Sequence, residues 1–232
     1  MLCKTTIILS CIQARTLSLP TSVVLQKTFQ VPVFVISDSQ NKILGTQLNI
    51  PSKSRTTVGV FTNYDDAKSF LNKLKSSKSI LGDDVRIATL SLSDIYQLNQ
   101  TEKQKVDGLA FVFIPSSVQV KNAFTILGQT TPETQTFDGT PLFVPYDRVS
   151  GQFLSVQSSS SQGIPLFFER EDLQEFLRKS EEQQPKLKES VVTIVVPLEG
   201  VIKGLENSND PTSGNMIFIP SQKSSSPNQM EK

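Results

Sequence analysis

Histidine is absent from the 232 residues, and with it go Ser/His/Asp and Cys/His nucleophile pairs, His-bearing zinc sites and imidazole general bases. The only cysteines are Cys3 and Cys11, so the body of the chain holds no disulfide, thiolate nucleophile or cysteine-bound metal cluster. Glycine is scattered: Gly45, Gly59, Gly82, Gly108, Gly128, Gly139 and Gly151 build neither G-x-G-x-x-G nor G-x-x-x-x-G-K-[ST], which removes the familiar phosphate cradles. An excess of one charge is missing too. Lys and Arg number 23 against 22 Asp and Glu, leaving no basic field for a nucleic-acid backbone. No stretch approaches the roughly 18 to 20 apolar residues of a membrane-spanning helix. An enzyme, a cofactor, a metal site and a nucleic-acid partner are therefore not expected. With 37% hydrophobic residues, the length suits one domain or two small ones with modest cores.

The most informative feature present is self-similarity. VPVF from Val31 compares with TPLF from Thr140, and VGVF from Val58 with IPLF from Ile164. YDDAKSFL from Tyr64 matches REDLQEFL from Arg170, VRIATLSLSDIY from Val85 matches VVTIVVPLEGVI from Val191, and FIPS recurs at Phe113 and Phe218. The offset stays near about 106 positions, too long for a solenoid unit and suited to a duplicated half-domain. The expected division is an N-terminal segment at 1–30, half-repeats at 31–130 and 131–220, and a disordered polar tail at 221–232.

Each half reads as two strands, a helix, a strand, a short helix and a closing strand. The first strands are Val33 to Ile36 and Leu142 to Val144; the second are Val58 to Phe61 and Leu166 to Phe168. In the helix that follows, Ala67, Phe70, Leu71 and Leu74 share one face, and Asp65 and Asp66 stand where its N-terminus favours negative charge. The second copy carries Glu169, Glu171 and Asp172 at its start and Leu173, Phe176 and Leu177 on its face. Strands Val85 to Leu90 and Val191 to Val196 lead into helices Leu92 to Leu98 and Leu198 to Leu205. Strands Leu109 to Ile114 and Met216 to Ile219 close the halves before a proline. Val118, Val120, Ala123, Phe124 and Leu127 predict a helix linking them, and Ser155 to Ser161 a mobile Ser-rich turn. The expected fold is α+β: two similar half-repeats related by a pseudo-two-fold, with mixed or antiparallel sheet covered by helices on one face.

Candidate chemistry is sparse. Asp65/Asp66 and Asp83/Asp84 could hold a cation or do acid–base work, but helix capping and loop solvation explain them more simply. Lys68, Lys73, Lys75 and Lys78 read as a solvated helix face rather than a docking patch. Fourteen Phe beside three Tyr either fill the core or line apolar grooves for extended segments. At the N-terminus, Lys4 followed by Ile7, Ile8, Leu9 and Ile12 has the order of a signal peptide; a strand or frayed tail and a lipid-anchoring Cys11 are the other readings.

VPVFVISDSQNKIL, VGVFTNYDDAKSFL, FVFIPSSVQVKNA, FDGTPLFV and IPLFFEREDLQEFL together resemble the family of the 22-kDa subunit of the chloroplast inner-envelope translocon, which has cyanobacterial and apicomplexan-plastid members. Its most specific residues are Phe113, Pro115, Gln119 and Ala123, then Phe137, Asp138, Gly139, Pro141 and Phe143, then Pro165, Phe167 and Asp172. The resemblance implies a non-enzymatic, chaperone-like protein without cofactor, peripheral to a membrane, with precursor or unfolded proteins and translocon subunits as partners. It implies a plastid, envelope-associated location or, for a cyanobacterial member, the periplasm or thylakoid. No long transit segment precedes the match, which fits a plastid or cyanobacterial gene. Phe34, Phe61, Phe113, Phe143 and Phe167 are the candidate groove residues for clients, although strand alternation could bury each of them. The other reading is a scaffold subunit that never handles unfolded chains.

Overall fold

A computed structural model describes residues 21–50, 53–76, 84–105, 107–130, 137–157, 162–207 and 215–221. The N-terminal segment with both cysteines, Asp83, and the serines from Ser158 to Ser161 lie outside the described residues, as does the tail beyond Ser221. Helix α1 (Thr21–Thr28) leads into β1 (Pro32–Ser37), the hairpin β2 (Thr46–Ile50) and β3 (Lys53–Phe61), α2 (Tyr64–Ser76), β4 (Arg86–Ser91), α3 (Leu92–Glu102) and β5 (Ala110–Ile114). Then come α4 (Ser117–Thr130), β6 (Pro141–Asp147), the short β7 (Gln152–Phe153) and β8 (Val156–Gln157), and β9 (Gln162–Phe167). The chain continues through α5 (Arg170–Gln183), α6 (Leu187–Ser190), β10 (Val191–Pro197), α7 (Leu198–Asn207) and β11 (Met216–Ile219).

Two mixed sheets result, and they share one pattern. In the first, β1 lies antiparallel between β3 and β4, and β3 pairs in parallel with β5. In the second, β6 lies antiparallel between β9 and β10, and β9 pairs in parallel with β11. Phe34 stands opposite Phe61 in one and Phe143 opposite Phe167 in the other. The same chain turn closes each: the Leu92 amide donates to the Val31 carbonyl at 2.8 Å, and the Leu198 amide to the Thr140 carbonyl at 2.8 Å. Prolines open β1 and β6, where no amide hydrogen is needed.

The two-residue period of the strands separates three cores. Val33, Val35, Val58 and Val60 join Leu142, Val144, Leu166 and Phe168 in a shared core that also takes Val24 of α1, Leu92 and Ile95 of α3, and Leu198 and Leu205 of α7. On the opposite face of the first sheet, Phe34, Ile36 and Phe61 pack with Ala67 beneath α2. On the opposite face of the second, Phe143 and Phe167 pack with Ala123 and Ile126 of α4 and Leu173 of α5. Both faces of each sheet are thus covered, a correction to the one-sided cover expected from the sequence. VFVI and LFV are unbroken apolar runs, and such a run has to bury both faces of its strand. Helix α4, numbered with the first half at 31–130, lays its apolar face on the second sheet, because Ala123 is fully buried there beside Phe143 and Phe167.

Local caps differ from the expected ones as well. Asn63, not the aspartates, caps α2: its Oδ1 accepts the amides of Asp65 at 2.9 Å and Asp66 at 3.4 Å. Ser221, expected to begin a disordered tail, is 3% exposed and donates its hydroxyl to Glu169 Oε1 at 2.8 Å.

Candidate functional site

Among the described residues, strand β5 is the outer strand of the first sheet, paired in parallel with β3 alone. Its sequence AFVFI carries no charge, and Val112 at its centre is 50% exposed. An uncharged apolar edge strand is uncommon on a soluble surface, where edges are ordinarily blunted with charge or covered. Here it opens instead onto a cleft of about 1040 Å³. Phe111 and Phe113 of β5, Leu92, Ile95 and Tyr96 of α3, and Ile202 of α7 give the cleft its apolar walls. Lys103, Lys203, Asp138, Glu199 and Glu206 stand among the lining residues, and Pro115, Val120 and Phe137 complete it.

The walls are held by interactions the sequence encodes locally. Helix α3 begins with a reciprocal box: Ser91 Oγ accepts the Asp94 amide at 3.1 Å, and Asp94 Oδ2 accepts the Ser91 amide at 2.9 Å. At the other end Glu102 Oε2 accepts the Leu109 amide at 3.0 Å, which fixes the turn into β5. Its carboxyl is held below the usual range, first by the Lys105 ammonium and then by that amide. Helix α7 is tied through Glu199, whose two oxygens accept the Thr140 amide at 2.9 Å and hydroxyl at 3.0 Å. Gly139 precedes this clamp with φ +96°, and a Cβ there would meet Glu199 Oε2 at 2.5 Å, so only glycine fits. The two helices meet where Gln100 Nε2 donates to Glu206 Oε1 at 3.0 Å. Tyr96 lies beside that contact, its phenol pushed above its ordinary value by burial and then by Glu206.

A second, smaller apolar cavity of about 250 Å³ lies on the face of the first sheet beside α2. Ile36, Leu44, Phe61, Phe70 and Ile114 line it, and Val112 borders both cavities. Gly59 belongs to its floor, where a Cβ would press on the Ile114 side chain at 2.7 Å.

Of the five phenylalanines offered as groove residues, only Phe113 lines the large cleft. Phe61 borders the small cavity while only 3% exposed. Phe34, Phe143 and Phe167 are corrected to core residues: they sit under α2, α4 and α5 at 3%, 0% and 4% exposure, the outcome that strand alternation allowed. The family-motif residues divide likewise. Pro115, Phe137, Asp138 and Gly139 line the cleft. Ala123, Pro141 and Pro165 are buried in or beside the second sheet. Gln119 is a buried connector, accepting the Arg170 amide at 3.0 Å and donating to Glu171 at 2.7 Å, while Asp172 lies half-buried in the first turn of α5.

Sequence reasoning missed Ile95, Tyr96, Asn99 and Ile202, which make the cleft, and Asn63 and Glu169, which join the halves at 3.2 Å. The offset itself was the available signal, since Asn63/Glu169 and Gln100/Glu206 are both partners 106 positions apart.

No trio of His, Cys, Asp or Glu side chains able to hold a metal ion occurs among the described residues, and no described helix is long and apolar enough to cross a membrane. Glu199 and Glu206 are engaged in holding its walls, and apolar side chains of β5, α3 and α7 make the larger part of the cleft surface. Such a surface binds side chains by excluding water from them.

A profile of the Tic22-like family matches residues 6–231. The chain is similar to "Protein TIC 22-like, chloroplastic" of Arabidopsis thaliana, 30% identical over 82% of this chain and 58% of that protein. It is also similar to "Protein TIC 22, chloroplastic" of Pisum sativum, 28% identical over 86% of this chain and 73% of that protein. The chain therefore spans little more than half the length of the first relative. Among solved structures, Anabaena Tic22 matches with a TM-score of 0.76 at 23% identity, over 89% of this chain and 95% of that one. Tic22 from Plasmodium falciparum matches at 0.68 and 22%, over 87% and 93%. At those identities the two structures speak to the fold, which they share.

Proposed function

The chain belongs to the Tic22-like family, and from that premise we propose that it takes part in protein transport in plastids, by holding apolar segments of precursor or unfolded proteins. One observation carries this reading: the uncharged edge strand β5 opens onto a cleft of about 1040 Å³ whose surface is predominantly apolar. Monomeric soluble proteins rarely leave contiguous apolar surface uncovered unless something binds it. The relatives named as chloroplastic support a plastid location, with the envelope as the membrane it would work beside. Translocon subunits are the partners this location supplies. The protein acts by binding and release rather than by catalysis, and needs no cofactor to do so.

Aggregation suppression tests the proposal. A chemically unfolded client is diluted into buffer with increasing amounts of the protein, and light scattering is followed. Suppression in proportion to added protein is expected. Replacing Phe113 with Ser should weaken it while the circular-dichroism spectrum is retained, whereas replacing Val149, 84% exposed and away from the cleft, should not. Absence of suppression at every ratio would favour a scaffold subunit that joins a membrane complex through fixed surfaces.

A further inference from the structure

Helix α1 packs against α3, α7 and β11, while the open cleft is walled by α7, α3 and β5. These are the same three surfaces with the halves exchanged. Strand β5 holds the place in the first sheet that β11 holds in the second, each parallel to its neighbour: Phe111 stands opposite Val58, and Met216 opposite Ile164. Helices α3 and α7 follow corresponding strands, β4 and β10, and join through Gln100 and Glu206, which are 106 positions apart. Residues at matching positions meet in this way where a two-fold axis relates two halves. Under that relation the seat of α1 and the cleft are one socket occurring twice, once filled by the chain itself and once, among the described residues, open.

The filled copy shows what the socket takes. Val24 and Thr28, one helical turn apart, are each 1% exposed and face inward. Lys27, in the last turn, sends its Nζ to the Met216 carbonyl on the outer edge of β11 at 2.9 Å. The residue at the position of Met216 in the open copy is Phe111, which lines the cleft. Three carboxylates, Asp138, Glu199 and Glu206, also border it against two ammoniums, Lys103 and Lys203. We propose that the cleft receives a short amphipathic helix of a client protein, about two turns long, seated as α1 is. Its apolar residues at i and i+4 point inward, and a Lys or Arg in its last turn reaches the Phe111 carbonyl. This rests on the client-binding reading and narrows it: the bound segment is helical and basic rather than extended.

A fluorescent peptide of residues 21–31 (TSVVLQKTFQV), stapled on its solvent side to hold a helix, is titrated into the full chain and its anisotropy recorded. Saturable binding is expected. Replacing Ile202 or Asn99 of the protein with Lys should weaken it by about tenfold or more, because each places a charge on the cleft wall. Phe70→Ser, at the smaller cavity, should leave it unchanged. A peptide carrying Gln26→Pro, which removes a mid-helix amide at an exposed position and leaves the inward Val24 and Thr28 in place, cannot hold the helix and should not bind. A photo-crosslinker at the Val24 position of the peptide should label β5, which walls the cleft but not the seat of α1; α3 and α7 border both, so labelling of β5 against β11 separates entry into the cleft from displacement of α1. Equal binding of the proline peptide, labelling of β11 alone, or no binding by any peptide would overturn the inference. Aggregation suppression run on the same preparation separates the failures. If suppression persists, the cleft takes extended segments and only the helical mode falls; if it is lost as well, the client-binding reading falls with it.

Discussion

Replacing Phe143 with Ala distinguishes a core ring from a groove ring. Its side chain is 0% exposed, paired across the sheet with Phe167 and roofed by Ala123, Ile126 and Leu173. Truncating a Phe in such a place costs about 3–5 kcal/mol through lost burial and the cavity left behind. For a chain of this size that corresponds to a fall in melting temperature of roughly 6–20 °C. Phe113 is half-buried and lines the open cleft, so its truncation to Ala should cost only about 1 kcal/mol. Urea unfolding followed by far-ultraviolet circular dichroism reads both, with aggregation suppression measured on each folded variant. The expected pattern is a large stability loss for Phe143→Ala and a large binding loss for Phe113→Ala. A Phe143→Ala protein within about 0.5 kcal/mol of the parent would refute the assignment, because α4 and α5 could not then be closing over that ring.

Asn63→Ala removes the α2 cap and the bond to Glu169, and should destabilise by about 1–3 kcal/mol in urea melts. Asp65→Asn, which leaves the cap in place, should cost less than about 0.5 kcal/mol in the same assay. Gly139→Ala puts a Cβ against Glu199 in a left-handed backbone conformation, and a loss of about 1–3 kcal/mol is expected. Burial holds Lys27 below the ordinary 10.5. The native state therefore binds fewer protons than the unfolded state just beneath that pH, and stability should rise with pH through the window up to 10.5. Unfolding free energies of the parent and of Lys27→Met, compared across that window, isolate the contribution; an unchanged difference would show that Lys27 is not desolvated.

Much of the fold was legible from the chain. Apolar runs such as VFVI and LFV mark strands whatever lies on either side of them, and the face Ala67, Leu71 and Leu74 marks α2 because a helix with one apolar stripe has to bury it. The site was less legible. A run with every residue apolar does not say which face is roofed, so Phe34 and Phe143 looked as available as Phe113. The cleft is built by Ile95, Tyr96 and Ile202, ordinary helix residues whose significance lies in which other helix they face, and that depends on how the halves dock. Capping at Asn63 was readable in principle, since an Asn two residues before an acidic helix start is a common opening signal.

The contacts between Asn63 and Glu169 and between Gln100 and Glu206 carry a consequence for how such a pairing can be encoded. In an assembly of two identical chains, a residue on the axis meets its own copy, so a glutamate at either place would face a glutamate and the two would repel. A single chain that contains both halves is free of that constraint. Each position can hold a different residue from its counterpart, an amide against a carboxylate, which turns a clash of like charges into a donor and an acceptor. The same freedom lets the chain's own helix α1 fill the place between α3, α7 and β11 while the matching cleft beside β5 is, among the described residues, uncovered.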